Sequence, residues 1–491
     1  MTTIGRGEFL KRMGLGAIGL ASSAHLAGGS VQGAFAAGAP GTGSGGQKPN
    51  FIFILLDDMG WRDVGCFGSA FHESPSIDRL ASQGMKFTDA YAACPVCSPT
   101  RASIMTGKYP ARLALTNFIP GSPKNRNTKL IEPSFEQQVP LEEITLAEAL
   151  KPAGYVSGHV GKWHMGGRDY NPDKQGFDLS YVTGGPHLNW NVTPPHQARK
   201  GVYLADALTD RAEEFIETNQ EKPFFLYLCH FAVHIPLQAK QEYLARYEAK
   251  ADPKQPQHNA IYAAMIQSVD ESVARLMKKL DDLKIADRTV IIFMSDNGGL
   301  SVKEAVNTPS TSNLPLRAGK GYLYEGGIRE PLIVKWPGVV KPGGVCDVPV
   351  CSVDFYPTIL DVAGVERPSA QIVDGVSFVP LLRQTGAFKR DALYWHYPHY
   401  SNQGAFPGAA IRQGDFKLIE FYEDGHNELY NLKDDIGEKN NLAAKMPEKV
   451  AELRKKLDAW LKEMNARMPT PNPNFDPSKP YRGPTETEKG D

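Results

Sequence analysis

The sequence has no surplus of either charge: 54 Lys and Arg stand against 55 Asp and Glu in 491 residues, a formal net charge of −1. Without a basic excess or a conspicuous Lys/Arg run, it lacks the footprint of sequence-independent nucleic-acid binding, which neutralises phosphates with cationic side chains. Cysteine is scarce. Six residues (Cys66, Cys94, Cys97, Cys229, Cys346 and Cys351) exclude a disulfide scaffold, although Cys346 and Cys351 could bridge in an oxidising compartment. Beyond residue 47 no stretch reaches the ~18 apolar residues of a membrane span, and no internal repeat is visible. What is present suits a large core: 41% of residues are hydrophobic, and 47 Gly and 37 Pro point to a loop-rich α/β protein rather than a helical bundle. The length suits two or three domains at ~100–200 residues each.

The N-terminus follows a different grammar. Arg6, Lys11 and Arg12 precede an apolar, Gly- and Ala-rich stretch over 13–27, and Ala34-Phe35-Ala36 offers a small-x-small cleavage site. These features predict a signal peptide over 1–36 and a flexible spacer over 37–47, hence an exported, periplasmic or secreted protein. No cysteine stands at the cleavage point to carry a lipid anchor. The run Arg6-Gly7-Glu8-Phe9-Leu10-Lys11 is similar to a twin-arginine signal, with Gly7 in the second arginine's place.

Apolar runs and amphipathic patterns then alternate. Residues 51–56 (FIFILL), 155–160, 224–229 (FFLYLC) and 289–294 (TVIIFM) read as buried parallel strands. Ile266, Val269, Val273, Leu276, Leu280 and Leu283 recur at helical spacing, and 141–150 reads as a shorter helix closed by Gly154. This alternation predicts a large, mostly parallel sheet sandwiched by helices over 48–384. From 385 to 468 the pattern changes to short strands at 392–396, 416–420 and 428–432, the last two joined across Asp424-Gly425. A helix opened by Pro447 follows, carrying Val450, Leu453, Leu457, Trp460 and Met464 on one face, so this is a smaller α+β domain with a short antiparallel sheet. Residues 469–491 form a Pro-rich tail.

Each expected core strand is followed at once by a polar cluster. These are Asp57-Asp58, Gly161-Lys162-Trp163-His164, His230 with His234-Ile235-Pro236, and Ser295-Asp296-Asn297-Gly298-Gly299. Ligands of open α/β sheets bind beyond the carboxyl ends of the strands, so four such clusters describe one convergent site. Asp57, Asp58, Asp296 and Asn297 are hard oxygen donors, and three carboxylates in one pocket repel unless a cation neutralises them. Oxygen ligation, without a thiolate pair or a histidine cluster, favours Ca²⁺ or Mg²⁺ over zinc. Each cluster alone has a plainer reading. Adjacent acids after a strand commonly cap a helix, Asp-Asn-Gly-Gly is commonly a turn, and Lys162 beside Trp163 reads as a solvated loop residue. A histidine before Ile-Pro reads as a packed strand end, and Cys94-Pro95-Val96-Cys97 as a redox CxxC.

The segment Cys97-Ser98-Pro99-Thr100-Arg101-Ala102-Ser103-Ile104-Met105-Thr106-Gly107-Lys108 shifts that balance. It resembles the signature of the type I sulfatases of the alkaline phosphatase superfamily. Cys97, Pro99, Arg101, Thr106, Gly107 and Lys108 match at fixed spacing, with Lys108 in place of the commoner arginine. Gly319-Lys320-Gly321-Tyr322 and Glu325-Gly326-Gly327-Ile328-Arg329-Glu330-Pro331 extend the likeness, which covers roughly residues 48 to 440. The resemblance implies an alkaline phosphatase-like fold and a sulfuric ester hydrolase whose Cys97 is oxidised to formylglycine by a maturation enzyme that recognises Pro99 and Arg101. The aldehyde's hydrate would attack sulfur and expel sulfate by collapsing back, an exit that a thiosulfate ester lacks.

On the same footing, Asp57, Asp58, Asp296, Asn297 and modified residue 97 would hold one divalent cation, Ca²⁺ ahead of Mg²⁺. Arg101 would hold the diol, and Asp296 would act as base on the attacking hydroxyl. Lys162 and Lys320 would bind sulfate oxygens, His234 with Lys320 would protonate the departing alcohol, and His164 would take the proton that eliminates sulfate. His230 matches no motif.

The substrate expected from the resemblance and from export is a sulfated carbohydrate of galactose or N-acetylgalactosamine type. Aromatic faces suit sugar rings, which makes 187–191 (HLNWN, with Trp190) and 394–400 (YWHYPHY, with His396 and His399) candidate rims of the pocket. Core packing of Trp395 and Tyr397 is equally open. A broad arylsulfatase, or a formylglycine-dependent phosphate or phosphonate ester hydrolase, is the alternative activity. An ordinary cysteine hydrolase using Cys97 and His164, and a non-catalytic glycan-binding protein, are the remaining rivals. The sugar, the ester position, endo or exo action and the oligomeric state are not legible in the sequence.

Overall fold

The computed structural model describes residues 48–122, 127–194 and 201–479. The export segment and spacer expected over 1–47, and the end of the Pro-rich tail, lie outside them.

Strand β1 (Asn50–Leu56) is buried along its whole length. Ile52, Ile54 and Leu56 enter one apolar cluster while Phe51, Phe53 and Leu55 enter another, the period-two alternation of a strand covered on both faces. With it run β2 (Met85–Tyr91), β3 (Val156–Gly161), β4 (Leu179–Val182) and β5 (Phe224–Cys229). The sheet is completed by β6 (Thr289–Ser295), β7 (Arg329–Lys335), β8 (Gly344–Cys346) and β9 (Val350–Cys351). These nine strands lie in the order β9-β2-β7-β6-β1-β5-β3-β4, with β8 also paired to β2. Strand β7 runs antiparallel to both neighbours and the other pairings are parallel, giving the mostly parallel sheet expected.

Helices Leu204–Thr218 and Ala260–Asp282 cover the first apolar cluster, and Cys97–Thr106, Leu146–Leu150 and Phe355–Ala363 cover the second. The helix expected over 141–150 begins only at Leu146. The reason is local: the Thr145 side chain accepts from Glu148 N while Glu148 accepts from Thr145 N, a capping box that starts the helix there.

Strands Leu393–Tyr397, Gly408–Gln413, Phe416–Phe421 and Asn427–Asn431 form a separate antiparallel sheet. The last two turn across Asp424-Gly425, with Gly425 at φ +71. Helix Pro447–Glu463 packs Leu453, Leu457 and Trp460 into the core of this sheet. The same cluster takes in Tyr91, Cys94 and Val96, so the small sheet is seated on the segment that leads to Cys97.

All six cysteines are free. Cys346 and Cys351 both lie on strands paired to β2, but opposite Phe87 and Tyr91 respectively. That offset of four strand residues, at ~3.3 Å each, far exceeds the Cα separation of ~4.4–6.8 Å that a disulfide spans. Among the described residues no helix is long and apolar enough to cross a membrane.

Candidate active site

Register brings the polar clusters together. Leu56 lies opposite Ser295, Leu55 opposite Cys229, and Gly161 opposite Cys229, so Asp57, Lys162, His230 and Asp296 leave the sheet at one edge. Helix Cys97–Thr106 starts at this edge, with Val96 extended before it. Four residues separate Cys97 from Arg101, which places both side chains on one face of the helix.

Arg101 is fully buried and ties the helix to the strand ends. Its Nε donates to Asp296 Oδ2 at 2.8 Å, one terminal nitrogen makes an ion-pair contact with the same oxygen at 2.7 Å, and the other terminal nitrogen donates to the Lys162 carbonyl at 2.9 Å. Lys162 Nζ donates to Asp57 Oδ2 at 2.6 Å, and Lys320 Nζ to Asp58 Oδ2 at 2.6 Å. Asn297 Nδ2 donates to Asp58 Oδ1 at 2.8 Å. Lys320 Nζ also meets His234 Nε2 at 3.1 Å. An ammonium group has only donors, so this Nε2 accepts and the ring proton sits on Nδ1, directed at the Ile235 carbonyl 2.6 Å away. His164 donates from Nε2 to the Ile119 carbonyl at 2.6 Å, leaving its buried Nδ1 without a hydrogen-bond partner.

Burial and charge divide the titratable groups. Burial resists charge on Asp57, but Lys162, His234, Arg101 and Lys320 outweigh it and hold the carboxyl well below the usual carboxylate range. Burial and the neighbouring Asp57 push Asp296 up, to about 7, against the pull of Arg101. Burial, ahead of Lys162, keeps His164 neutral, and burial with Lys320 does the same for His234. Burial also lifts the Cys97 thiol to about 11. A thiol held protonated in this way is a poor nucleophile as it stands, unlike the depressed thiolates of cysteine hydrolases. Cys94 is buried as well, its thiol directed to the Thr116 carbonyl.

Two acceptors in this cluster, Asp57 Oδ1 and Asn297 Oδ1, are buried without a hydrogen-bond donor among the described residues. Ligand atoms of Asp57, Cys97 and Asp296 lie within 4.8 Å of one another, as do those of Asp57, Asp58 and His234. Unsatisfied carboxylate and amide oxygens fit a hard divalent cation. The one soft donor is the Cys97 sulfur, and replacing it with oxygen would make the set uniform.

Cys97, Lys162, His164, His234 and Lys320 line an open cavity of about 790 Å³. All ten residues singled out in the sequence therefore converge, five on this cavity and Asp57, Asp58, Arg101, Asp296 and Asn297 in direct contact with that group. Lys108 faces elsewhere and pairs with Glu143 at 2.6 Å. His230 bonds Ser272 Oγ at 3.0 Å.

The expected aromatic rims are not found. Trp190 is packed in the core with its N–H on the Val202 carbonyl, and Trp395 and Tyr397 are equally buried. His396 and His399 are also interior, bonded to Tyr422 and Thr116. In each case burial of the ring gains more than a flat exposed platform would. His187 is buried too and bonds the His234 carbonyl at 2.8 Å, so 187–191 supports a site histidine and supplies Asn191 to the wall. The wall otherwise comes from residues that sequence reasoning missed: Phe118, Thr183, Gly184, Gly185, Glu304, Asn402 and Gln403. No spacing or motif marks them.

A mostly parallel, doubly covered sheet with an acid-, amide- and lysine-lined pocket at its strand ends defines an ester hydrolase of the alkaline phosphatase superfamily. A family model described as "Sulfatase" matches residues 49–365, and one described as "N-sulphoglucosamine sulphohydrolase, C-terminal" matches 318–467. A protein named sulfatase from Formosa agariphila is 34% identical, covering 86% of this chain and 90% of that one. The N-acetylgalactosamine-6-sulfatase of Sus scrofa is 35% identical over 71% of this chain and 69% of its own. The crystal structure of Ps i-CgsB in complex with k-i-k-neocarrahexaose superposes with a TM-score of 0.73 at 31% identity, covering 84% of this chain and 93% of that one. The chain belongs to the type I sulfatase family and is a sulfuric ester hydrolase.

Proposed function

We propose that this sulfatase removes sulfate from a carbohydrate of galactose or N-acetylgalactosamine type, outside the cytoplasm, after a maturation enzyme has oxidised Cys97 to formylglycine. The convergence of Asp57, Asp58, Cys97, Asp296 and Asn297 in one buried cluster carries this reading. Those residues would hold one Ca²⁺, and the bound cation would polarise a sulfate oxygen and acidify the attacking hydroxyl. The oxidised side chain at 97 would supply that hydroxyl.

The chain's own residues do the rest. Arg101 fixes Asp296, the base, against the helix that carries residue 97. Lys162 and Lys320 place positive charge at the cavity wall, where sulfate oxygens gather charge as the ester breaks. Lys320, whose ammonium donates to His234 Nε2, is the member of that pair with a proton to give the departing alcohol, His234 positions it, and the bare Nδ1 of His164 is free to accept a proton when sulfate is expelled. Asp57, Asp58 and Asp296 balance Arg101, Lys162 and Lys320, so a divalent cation leaves the cluster net positive, the sign a sulfate ester seeks. The sugar class draws support from the names of relatives, an N-acetylgalactosamine-6-sulfatase and a structure holding a carrahexaose.

Peptide mass analysis of the segment around residue 97, in protein co-produced with a formylglycine-generating enzyme, tests the nucleophile. An aldehyde in active protein is expected, and an unmodified thiol in fully active protein contradicts it. Aryl sulfate is expected to turn over faster than aryl phosphate, and the reverse would favour a phosphate ester hydrolase. A panel of defined sulfated monosaccharides then tests the sugar class.

A further inference from the structure

The wall of the cavity carries a built acceptor. Among the described residues lining it, Glu304 is the one acid, and the two lysines, Lys162 and Lys320, are already paired with Asp57 and Asp58. Glu304 is exposed yet held. Its backbone N–H donates to Thr308 Oγ1 at 2.8 Å, and its Oε2 accepts from Gln403 Nε2 at 2.7 Å. Gln403 is itself only 6% exposed, and its carbonyl accepts from the Tyr322 hydroxyl at 2.7 Å. Its Oε1 lies 2.5 Å from where a Cβ on Gly321 would stand, so a glycine beside Lys320 lets the amide lie flat there. Gly321 also has φ +86, which other residues adopt with strain. Two parts of the connection after β6, at 304–308 and 320–322, thus meet the remote 401–405 loop and hold one carboxylate at the cavity wall that also carries Lys320 and His234.

We infer that Glu304, oriented by Gln403, is a specificity-determining residue that accepts a hydroxyl of the sugar beside the scissile sulfate and rejects rings whose adjacent substituent is a second sulfate or a carboxylate. This rests on the sulfatase reading above and deepens it. A hydroxyl gives the carboxylate a charge-assisted hydrogen bond. An anionic substituent offers no donor, leaves Glu304 with Gln403 as its donor and nothing from the ligand, and is repelled by it. Discrimination against a group that leaves polar partners unmatched is strong, because the loss falls on the site as well as on the ligand.

The test compares kcat/KM for a monosulfated galactose or N-acetylgalactosamine with that for the same sugar carrying a second sulfate on the neighbouring carbon. The wild type is expected to favour the monosulfated sugar by about a hundredfold, and Glu304→Gln to shrink that ratio about tenfold or more, since it removes the repulsion and weakens the acceptor. Gln403→Ala, which releases the carboxylate, should move the ratio in the same direction. The ratio is insensitive to any overall loss of activity, and aryl sulfate turnover with an unfolding midpoint reports whether each variant is intact. A Glu304→Gln ratio within about twofold of wild type, with sulfate still released, overturns this inference alone. No sulfate release by the matured wild type from any ester overturns the sulfatase mechanism itself.

Discussion

Replacing Arg101 with lysine tests the architecture of the centre most directly, because it keeps the charge and removes the fork. Arg101 donates once to Asp296 Oδ2 at 2.8 Å, holds a second, ion-pair contact with that oxygen at 2.7 Å, and donates once to the Lys162 carbonyl at 2.9 Å, from a position with no solvent exposure. A lysine is a point donor on a flexible stem and can remake one of these bonds in the same space. Losing one charge-assisted bond at ~1.5–3 kcal/mol, together with part of the close ion pair, puts the stability loss at about 2–4 kcal/mol. Arg101→Ala should be worse, about 3–5 kcal/mol, because it leaves Asp296 buried beside Asp57 without its guanidinium. Catalysis should suffer separately. Asp296 is then free to shift relative to residue 97, and misplacement of a reacting group by about 1 Å reduces turnover about a hundredfold. Arg101 also lies in the segment that the maturation enzyme is expected to read. Sulfate release must therefore be divided by the fraction of residue 97 that peptide mass analysis shows as aldehyde. An Arg101→Lys protein with wild-type turnover per matured site and an unchanged denaturant midpoint would refute the assignment of Arg101 as the brace of Asp296.

Removing divalent cations with a chelator should abolish activity and Ca²⁺ should restore it more fully than Mg²⁺; full activity in metal-free protein would contradict the role given to the bare oxygens of Asp57 and Asn297. Burial holds His159 down to about 3, with Trp163, Phe177 and Tyr227 around its ring. Below ~6.5 the unfolded chain binds a proton there that the folded chain does not, so this contribution is complete above ~6.5 and falls by about 1.4 kcal/mol per pH unit on acidification towards the folded value. His159→Phe should therefore lose less stability between pH ~7 and ~5, and denaturant midpoints that run parallel to wild type would contradict the sign. Trp395→Ala should lower stability by about 3–5 kcal/mol, since it removes a fully buried ring, its edge on Tyr91 and its hydrogen bond to the Ala92 carbonyl; a loss below about 1 kcal/mol in a urea melt would show that the small sheet is not seated as described.

The large sheet was legible because its strands are buried on both faces, which forces continuous apolar runs whatever the helices do. The runs at 51–56, 224–229 and 289–294 therefore fall within β1, β5 and β6. Boundaries set by single hydrogen bonds were less so: the Thr145–Glu148 capping box moves a helix start by several residues without altering the hydrophobic pattern. β7 was not anticipated as the strand that reverses. Its apolar residues look the same in either direction, and only its pairing with β2 and β6 decides.

The same logic separates the chemistry of the site from its specificity. Asp57, Lys162 and Asp296 each occupy the position directly after a parallel strand, so the register that aligns Leu56 with Ser295 and Gly161 with Cys229 also aligns them. Cys97 and Arg101 are joined by one helical turn. These candidates are thus placed by periodic elements, which leave a trace in the sequence, whereas Lys320 and His234 sit in loops and were assigned only through the family resemblance. The walls have no such carrier: Phe118, Gly184, Glu304 and Gln403 come from four loops, and their proximity depends on how each loop closes. The misjudged aromatics at 187–191 and 394–400 show the same thing in reverse. Their composition suited a sugar, but composition does not say which side of a loop faces inward, and Trp190 and Trp395 were drawn into the core by the area they bury. A sulfatase can therefore retain its strand-end chemistry while its loops are exchanged, which makes the Glu304–Gln403 pair, rather than any residue of the centre, the place where a change of substrate should be sought first.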